Sequence, residues 1–133
     1  MELSEYFIER IKRQYTDHTD FLSAISKEPN SSVRINTHKV DNIPSVLRRF
    51  LPAIGKGVEW CQEAYYLEQR PNYTLNPLFH AGCFYPQESS SMFLHHVLRS
   101  IAEEVPQSPI VLDLCAAPGG NSTLMLSWLN GRG

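Results

Sequence analysis

The spacing of apolar residues predicts two helices near the start of the chain. In the first, apolar side chains recur every three or four positions and so share one face of an amphipathic helix. These residues are Leu3, Phe7, Ile8, Ile11 and Tyr15. A shorter helical stretch covers residues 21–25 and stops at "KEPN", because the residue before a proline is pushed out of the helical conformation.

The pattern then changes to one typical of strands. In "SSVRINTHKV", Val33 and Ile35 alternate with Arg34 and Asn36, which predicts a half-buried strand. A third helix is expected from about residue 44 to residue 50. The stretch "GKGVEWCQEAYYLEQRPNY" predicts two short strands, because aromatic and β-branched residues lie between glycine and proline. "NPLFHAGCFYPQ" predicts an ordered loop that ends in a short extended stretch.

Helical spacing returns in "ESSSMFLHHVLRSIAEE", where Ser89 or Ser90 could cap the first turn. The expected apolar face consists of Met92, Phe93, His96, Val97 and Ile101. "VPQSP" ends this helix. The following "IVLDL" is a short, continuous apolar run, which predicts a strand buried on both faces in a parallel sheet. In the closing "LNGRG", Asn130 and Gly131 are signals that end a helix.

Together these elements predict an α/β protein in two parts. Residues 1–87 form an N-terminal α+β module, and residues 88–133 form the helix, strand, glycine loop and helix that open a Rossmann-like domain. A lone strand at 110–114 cannot satisfy its own backbone hydrogen bonds. We therefore expect residues 106–133 to be poorly ordered or paired with another chain unless the module covers them.

Composition excludes several classes of protein. The chain has 12 Lys and Arg against 14 Asp and Glu, so it has no general basic signature of nucleic-acid binding. Cys61, Cys83 and Cys115 form no Cys-x-x-Cys pair, and the adjacent His95 and His96 cannot form a metal-binding pair one turn apart. We therefore expect a reducing, cytoplasmic setting and no metal site. The N-terminus fits neither a signal peptide nor a membrane span.

The glycine loop "CAAPGG" lies where ligands bind in open parallel sheets, between a strand and the start of a helix. Gly119 and Gly120 permit close backbone approach, and Asp113 could either anchor the loop or face a cofactor. A purely structural turn is the alternative. A phosphate-binding P-loop does not fit, because Asn121 replaces its lysine and its first glycine is missing, and no Gly-x-Gly-x-x-Gly fingerprint is present.

Three segments carry a family resemblance. "DLCAAPGGNST" closely resembles the first motif of the Sun-type (Fmu, Nop and RsmF-like) RNA cytosine 5-methyltransferases. "VRINTHK" and "HAGCFYPQESSSM" resemble two upstream segments of that family, in the same order and at matching spacing. The resemblance covers most of residues 30–126.

The resemblance implies a methyltransferase that uses S-adenosylmethionine, with an N-terminal module that positions RNA, ribosomal RNA being the expected substrate. The implied cofactor residues are Asp113, Cys115, Ala116, Ala117, Pro118, Gly119, Gly120 and Asn121. The implied RNA contacts are Arg34, Asn36 and Lys39. Asn121 stands where the family usually has lysine, so we expect weaker or rearranged cofactor contacts, although its side chain could cap the helix. Tyr85, Gln87 and Ser89 either border the pocket or lock the loop.

The family's catalysis implies a cysteine thiolate that adds to the cytosine ring. The corresponding cysteines are expected downstream of Gly133, and none of the three present has matching neighbours. We therefore expect the chain to be the front portion of a longer enzyme and to be inactive alone. A non-catalytic RNA-binding or ribosome-assembly module that retains the loop, and a nucleotide-binding α/β protein, are the alternatives. The oligomeric state stays open.

Overall fold

A computed structural model describes residues 3–40, 51 and 53–133. The described helices are α1 (Glu5–Gln14), α2 (His18–Ser26), α3 (Pro77–His80), α4 (Phe93–Ser100) and α5 (Gly120–Leu129). The strands are β1 (Ser31–Ile35), β2 (Ile54–Val58), β3 (Cys61–Leu67) and β4 (Phe84–Pro86), and a 3₁₀ turn spans Tyr73–Leu75. The helix predicted at residues 44–50 lies outside the described residues.

The four strands form one antiparallel sheet in the order β2-β3-β1-β4. In its centre, Val33 of β1 lies opposite Tyr65 of β3 on one side and Pro86 of β4 on the other. The predicted strands around residues 33, 55 and 64 are therefore confirmed, as is the extended stretch before Gln87. With helices flanking this sheet, the predicted α+β module is confirmed as well.

Local capping signals explain where several helices begin. Ser4 caps α1, its Oγ accepting a hydrogen bond from the N–H of Phe7. The stretch predicted as a loop at residues 76–87 instead opens with α3. Asn76 Oδ1 accepts from the N–H groups of Leu78 and Phe79, and Pro77 occupies the first helical position, where its missing N–H costs nothing.

Among the helices described, none has the length and apolar character needed to cross a membrane.

Strand β1 is buried on both faces, which corrects the prediction of a half-buried strand. Val33 and Ile35 pack into a core cluster with Phe84 and Leu67. Ser32 and Arg34, on the other face, are only 5% and 4% exposed. Arg34 contacts α5, so the face that the polar residues occupy is covered by a helix and not by solvent.

A second core cluster joins the sheet to α4 and α5. It contains Val58, Cys61 and Ala64 from the region of β2 and β3, together with Met92 before α4 and Leu124 of α5. This cluster crosses the predicted boundary at residues 87 and 88. The division into residues 1–87 and 88–133 stays a prediction, but these two parts share buried apolar surface.

Helix α4 buries a different face from the one that its apolar spacing predicted. Met92 is fully buried as expected, but the next buried residue is His95, while Phe93, Val97 and Ile101 are 37–50% exposed. The predicted serine cap is also wrong, because Met92 occupies the N-cap position and provides no side-chain hydrogen bond. Met92 packs in a core cluster with Val58, Cys61 and Ala64, and Leu94 and Leu98 of α4 pack against that cluster.

The segment "IVLDL" does not form the predicted buried strand. Residues 110–114 have no strand partner among the described residues. Ile110, Leu112 and Leu114 are 100%, 77% and 85% exposed, whereas α5, which begins after the glycine loop, packs against the sheet. The module therefore covers α5 but not the apolar run that precedes the glycine loop.

This difference predicts the pattern of amide hydrogen exchange. Backbone amides at 110–114 should exchange within the dead time of a manual experiment, because no ladder hydrogen bonds protect them. Amides at 124–129 in α5 should exchange much more slowly, because this helix is packed on the sheet. Equal protection of both segments in a protein proven to be monomeric would contradict the described arrangement.

Candidate cofactor loop and its buried arginine

Asp113 anchors the glycine loop, which is one of the two roles predicted for this residue. Its Oδ1 accepts a hydrogen bond of 3.0 Å from the N–H of Cys115, and its Oδ2 accepts one of 2.6 Å from Ser122 Oγ. The carboxylate thus bridges the entry of the loop and the first turn of α5. This bridge sets the distance between the two ends of the loop.

The two glycines of the loop have different physical requirements. Gly119 has a φ of 107° and caps α5, and a Cβ there would meet no described atom within 4 Å. Gly120 faces the module, where a Cβ would lie 3.3 Å from Gln87 Nε2 and 3.6 Å from Tyr85 Cε1. Gly119 therefore provides a turn beside open space, and Gly120 provides close contact with the module.

The remaining loop residues are exposed, so a small molecule could reach them. These residues are Cys115, Ala116, Ala117 and Pro118. Asn121 is exposed too, but it lies inside the first turn of α5, and Gly119 occupies the cap position. The suggestion that Asn121 caps this helix is therefore wrong.

Arg34 of β1 is buried against the other side of the loop. Its Nε donates to Gln87 Oε1 at 3.0 Å, and its Nη2 donates to Thr123 Oγ1 at 2.6 Å and to the carbonyl of Gly120 at 3.4 Å. Nη1 donates to Ser127 Oγ at 3.3 Å. Burial lowers the pKa of Arg34, yet a guanidinium stays protonated in proteins, so these acceptors compensate a buried positive charge.

Two neighbours of Arg34 complete this support. Gln87 is held in place because its carbonyl accepts a 2.6 Å hydrogen bond from Ser32 Oγ. The hydroxyl of Tyr85 donates to the carbonyl of Pro118 at 3.0 Å. Tyr85 and Gln87 therefore lock the loop, whereas the carbonyl of Ser89 accepts from Trp60 Nε1, away from it. We call Arg34, Tyr85, Gln87 and Thr123 the brace.

The three predicted RNA-contact residues meet at one cavity of about 310 Å³ between the sheet and α5. Asn36 Nδ2 donates to the carbonyl of Gly82, and Lys39 Nζ donates to the carbonyl of Ala81 at the rim. Lys39 is exposed, while Arg34 presents only 4% of its surface and uses its N–H groups within the chain. RNA contact stays a prediction for all three, and Lys39 has the most accessible charge.

One cluster of potential metal ligands is not indicated by the sequence. Cys61, Glu63 and His95 come together where β3 meets α4, with their ligand atoms all within 4.8 Å of one another. Burial, followed by the nearby carboxylate of Glu63, raises the pKa of Cys61 to about 11. No spacing rule identifies this cluster, because its members come from a strand and a helix that are far apart in the chain.

Comparison with known proteins identifies the family. Residues 3–89 match the family described as the N-terminal domain of 16S rRNA methyltransferase RsmF. The chain belongs to this family. The match agrees with the resemblance to Sun-type methyltransferases that the three sequence segments indicated.

The relatives of this family member are longer proteins. A protein of Shewanella piezotolerans named "Ribosomal RNA small subunit methyltransferase F" is 31% identical over 140 residues, which is 98% of this chain and 28% of the relative. A solved structure of a methyltransferase homolog from Pyrococcus horikoshii is 27% identical, with a TM-score of 0.71 over 98% of this chain and 42% of that one. The solved structure of PH0851 is 26% identical, with a TM-score of 0.74 over 96% and 28%. The chain therefore spans less than a third of the curated relative that it matches.

Replacing Arg34 with lysine tests the brace. A lysine ammonium cannot reach acceptors on Gln87, Thr123 and Ser127 at once, because it lacks the planar fork of donors. Arg34→Lys should lower the free energy of unfolding by about 1–3 kcal/mol in urea denaturation. The exposed Arg99→Lys on α4 is the matched control and should change it by less than about 0.5 kcal/mol. Equal effects would show that the acceptors around Arg34 contribute nothing specific.

Proposed function

We propose that this chain provides the S-adenosylmethionine loop and the RNA-positioning module of a cytoplasmic ribosomal RNA cytosine 5-methyltransferase. The observation that carries the proposal is the brace, which fixes an accessible glycine loop against the sheet. The loop is thus fixed from the module on its inner side and open on its outer side, as a ligand-binding loop requires. The family match and the names of the longer relatives give the substrate class.

The loop fits a small cofactor with a carboxylate group. Its outer side is open at Gly119, and the first N–H groups of α5 lack partners within the helix and favour a negative group at that end. S-adenosylmethionine, when bound, supplies the methyl group. Residues 115–121 would contact it through backbone and small side chains, and Asp113 would hold the loop in place.

Asn121 distinguishes this loop from the usual family motif. A lysine at this position would place a positive charge near the cofactor's carboxylate, whereas the asparagine side chain offers only a neutral donor. The brace does not compensate, because the guanidinium of Arg34 is buried on the inner side of α5. We therefore infer a lower affinity than a lysine-containing loop would give, and Asn121→Lys should raise it.

The described cysteines are poorly suited to be the nucleophile. A nucleophilic thiol needs thiolate character, and both burial and the Glu63 carboxylate suppress it at Cys61. Cys115 lies in the loop that would hold the cofactor, and Cys83 packs against the core cluster of β1. We infer that methylation at the cytosine 5-position requires the cysteines that the family resemblance places after Gly133.

Cofactor binding can be tested with a matched pair of glycine variants. Gly119 and Gly131 flank α5, both have positive φ, and a Cβ at either would meet no described atom within 4 Å. Alanine should strain both positions, Gly119 with its φ of 107° more than Gly131 with its φ of 78°. In isothermal titration with S-adenosylmethionine, Gly119→Ala should weaken binding by about tenfold or more, equal to about 1.4 kcal/mol, while Gly131→Ala should leave it unchanged.

The same titration distinguishes the alternatives. RNA binding without any affinity for S-adenosylmethionine would favour a non-catalytic assembly module and overturn the cofactor role. Displacement of S-adenosylmethionine by ATP at comparable concentration would favour a nucleotide-binding protein. Methyl transfer by these 133 residues alone would contradict the need for additional cysteines.

The RNA-positioning role predicts an effect of Lys39. Lys39→Ala removes an exposed charge at the rim of the cavity, so it should weaken binding to 16S ribosomal RNA and reduce the slope of log affinity against log salt by about one. Lys27→Ala, at the exposed end of α2, removes the same charge outside that cavity and should have little effect. Equal losses would indicate attraction by overall charge alone.

A further inference from the structure

The cluster of Cys61, Glu63 and His95 lies on the sheet side of α4, separate from the glycine loop. Cys61 is fully buried, His95 is 8% exposed, and the side chain of Glu63 is 30% exposed. A thiol, a carboxylate and an imidazole thus converge from two elements. These three groups are the side chains that coordinate zinc in proteins.

Hydrogen bonding alone explains this arrangement poorly. His95 Nε2 lies 3.4 Å from Glu63 Oε2, beyond the 2.7–3.2 Å range of typical N–H···O bonds. The contact from Cys61 Sγ to the same oxygen is 3.6 Å, and a thiol is a weak donor. The nitrogen that faces Glu63 is Nε2, while His95 Nδ1, on the other side of the ring, is buried with no hydrogen-bond partner among the described residues. The groups are therefore close together but loosely bonded to one another.

The same separations match the edges of a tetrahedral metal site. Zinc binds sulfur at about 2.3 Å and nitrogen or oxygen at about 2.0–2.1 Å, so tetrahedral ligands lie about 3.3–3.6 Å apart. The separations from Glu63 to His95 and to Cys61, 3.4 and 3.6 Å, fall at these values, and all three ligand atoms lie within 4.8 Å of one another. We propose that Cys61, Glu63 and His95 bind a divalent transition-metal cation of the zinc class.

Arg34 is the buried base nearest the cluster, and its charge interacts with Cys61 and Glu63, although its hydrogen-bond donors go to Gln87, Thr123, Ser127 and Gly120. An ion at the cluster is therefore repelled by Arg34, and the two anionic ligands must outweigh that repulsion. A carboxylate and a thiolate together balance a divalent ion, with the imidazole neutral. On binding, the metal takes the place of the Cys61 proton, which is released to solvent.

The surrounding backbone and cavity give the ion a site and a path. The pairing of β2 with β3 shifts here, because Gly57 lies opposite Tyr65 while the next residue, Val58, lies opposite Cys61. Such bulges re-aim side chains. Glu63 and His95 also line a polar cavity of about 430 Å³, from which water could supply a fourth ligand. The ion would cross-link β3 to α4 independently of the proposed methyltransferase function.

Cobalt substitution provides a direct test. We would titrate Co²⁺ into the reduced wild-type chain and into Cys83→Ser/Cys115→Ser, in which Cys61 is the remaining thiol. Both should bind one ion per chain and show a sulfur-to-cobalt charge-transfer band with the visible bands of four-coordinate cobalt. Zn²⁺ should abolish these bands by displacement and should raise the melting temperature. Absence of the charge-transfer band in both proteins would overturn the proposal.

Single-ligand variants assign the residues. Loss of a residue that only orients a metal ligand costs roughly 10–100-fold in metal affinity. His95→Gln should weaken Co²⁺ binding by more than this, because it removes a ligand. The control His96→Gln, at the adjacent exposed position, should bind Co²⁺ as the wild type does. Cys61→Ser should lose the charge-transfer band. Should Cys61→Ser fail to fold, the paired histidine variants decide the matter with the thiol intact. Equal binding by the two histidine variants would contradict the proposed site.

Discussion

A buried guanidinium must find acceptors for its N–H groups, and this requirement links the two parts of the described structure. Arg34 is on an inner strand of the sheet, yet its acceptors lie on Gln87 and on α5. A buried charge that loses such partners is strongly destabilising. The module and the helix after the glycine loop are therefore held together by a polar contact in addition to the shared apolar cluster of Met92 and Leu124.

This link changes how the loop is supported. In an open parallel sheet, the strand before the loop is fixed by its neighbours in the sheet. Here the apolar residues of 110–114 are exposed, and the loop is fixed by side chains instead. Asp113 ties its two ends together, and Tyr85 and Arg34 hold it from the module. The N-terminal module is thus part of the support of the candidate cofactor site, in addition to any contact that it makes with RNA.

Burial also separates the chemistry of the three cysteines. Cys115 is exposed in the loop, and Cys83 is partly covered beside the first core cluster. Cys61 is fully buried beside a carboxylate, and both effects favour its protonated form. A divalent cation would reverse that preference, because it stabilises the thiolate directly. The Glu63 carboxylate, which disfavours the Cys61 thiolate in the absence of a metal, would itself be a ligand of that cation.

The sequence by itself determined the local features: α1 and α2, the strands around residues 33, 55 and 64, and the helix end at Asn130 and Gly131. Their signals are apolar periods, caps and turn residues that act over a few positions. Tertiary structure alone decided that Arg34 is buried, that α4 turns His95 inward and that Cys61 meets Glu63 and His95. It also decided that Asp113 anchors the loop and that residues 110–114 have no strand partner within the described part of the chain. Each of these depends on which distant surface covers a residue, and neither periodicity nor spacing contains that information.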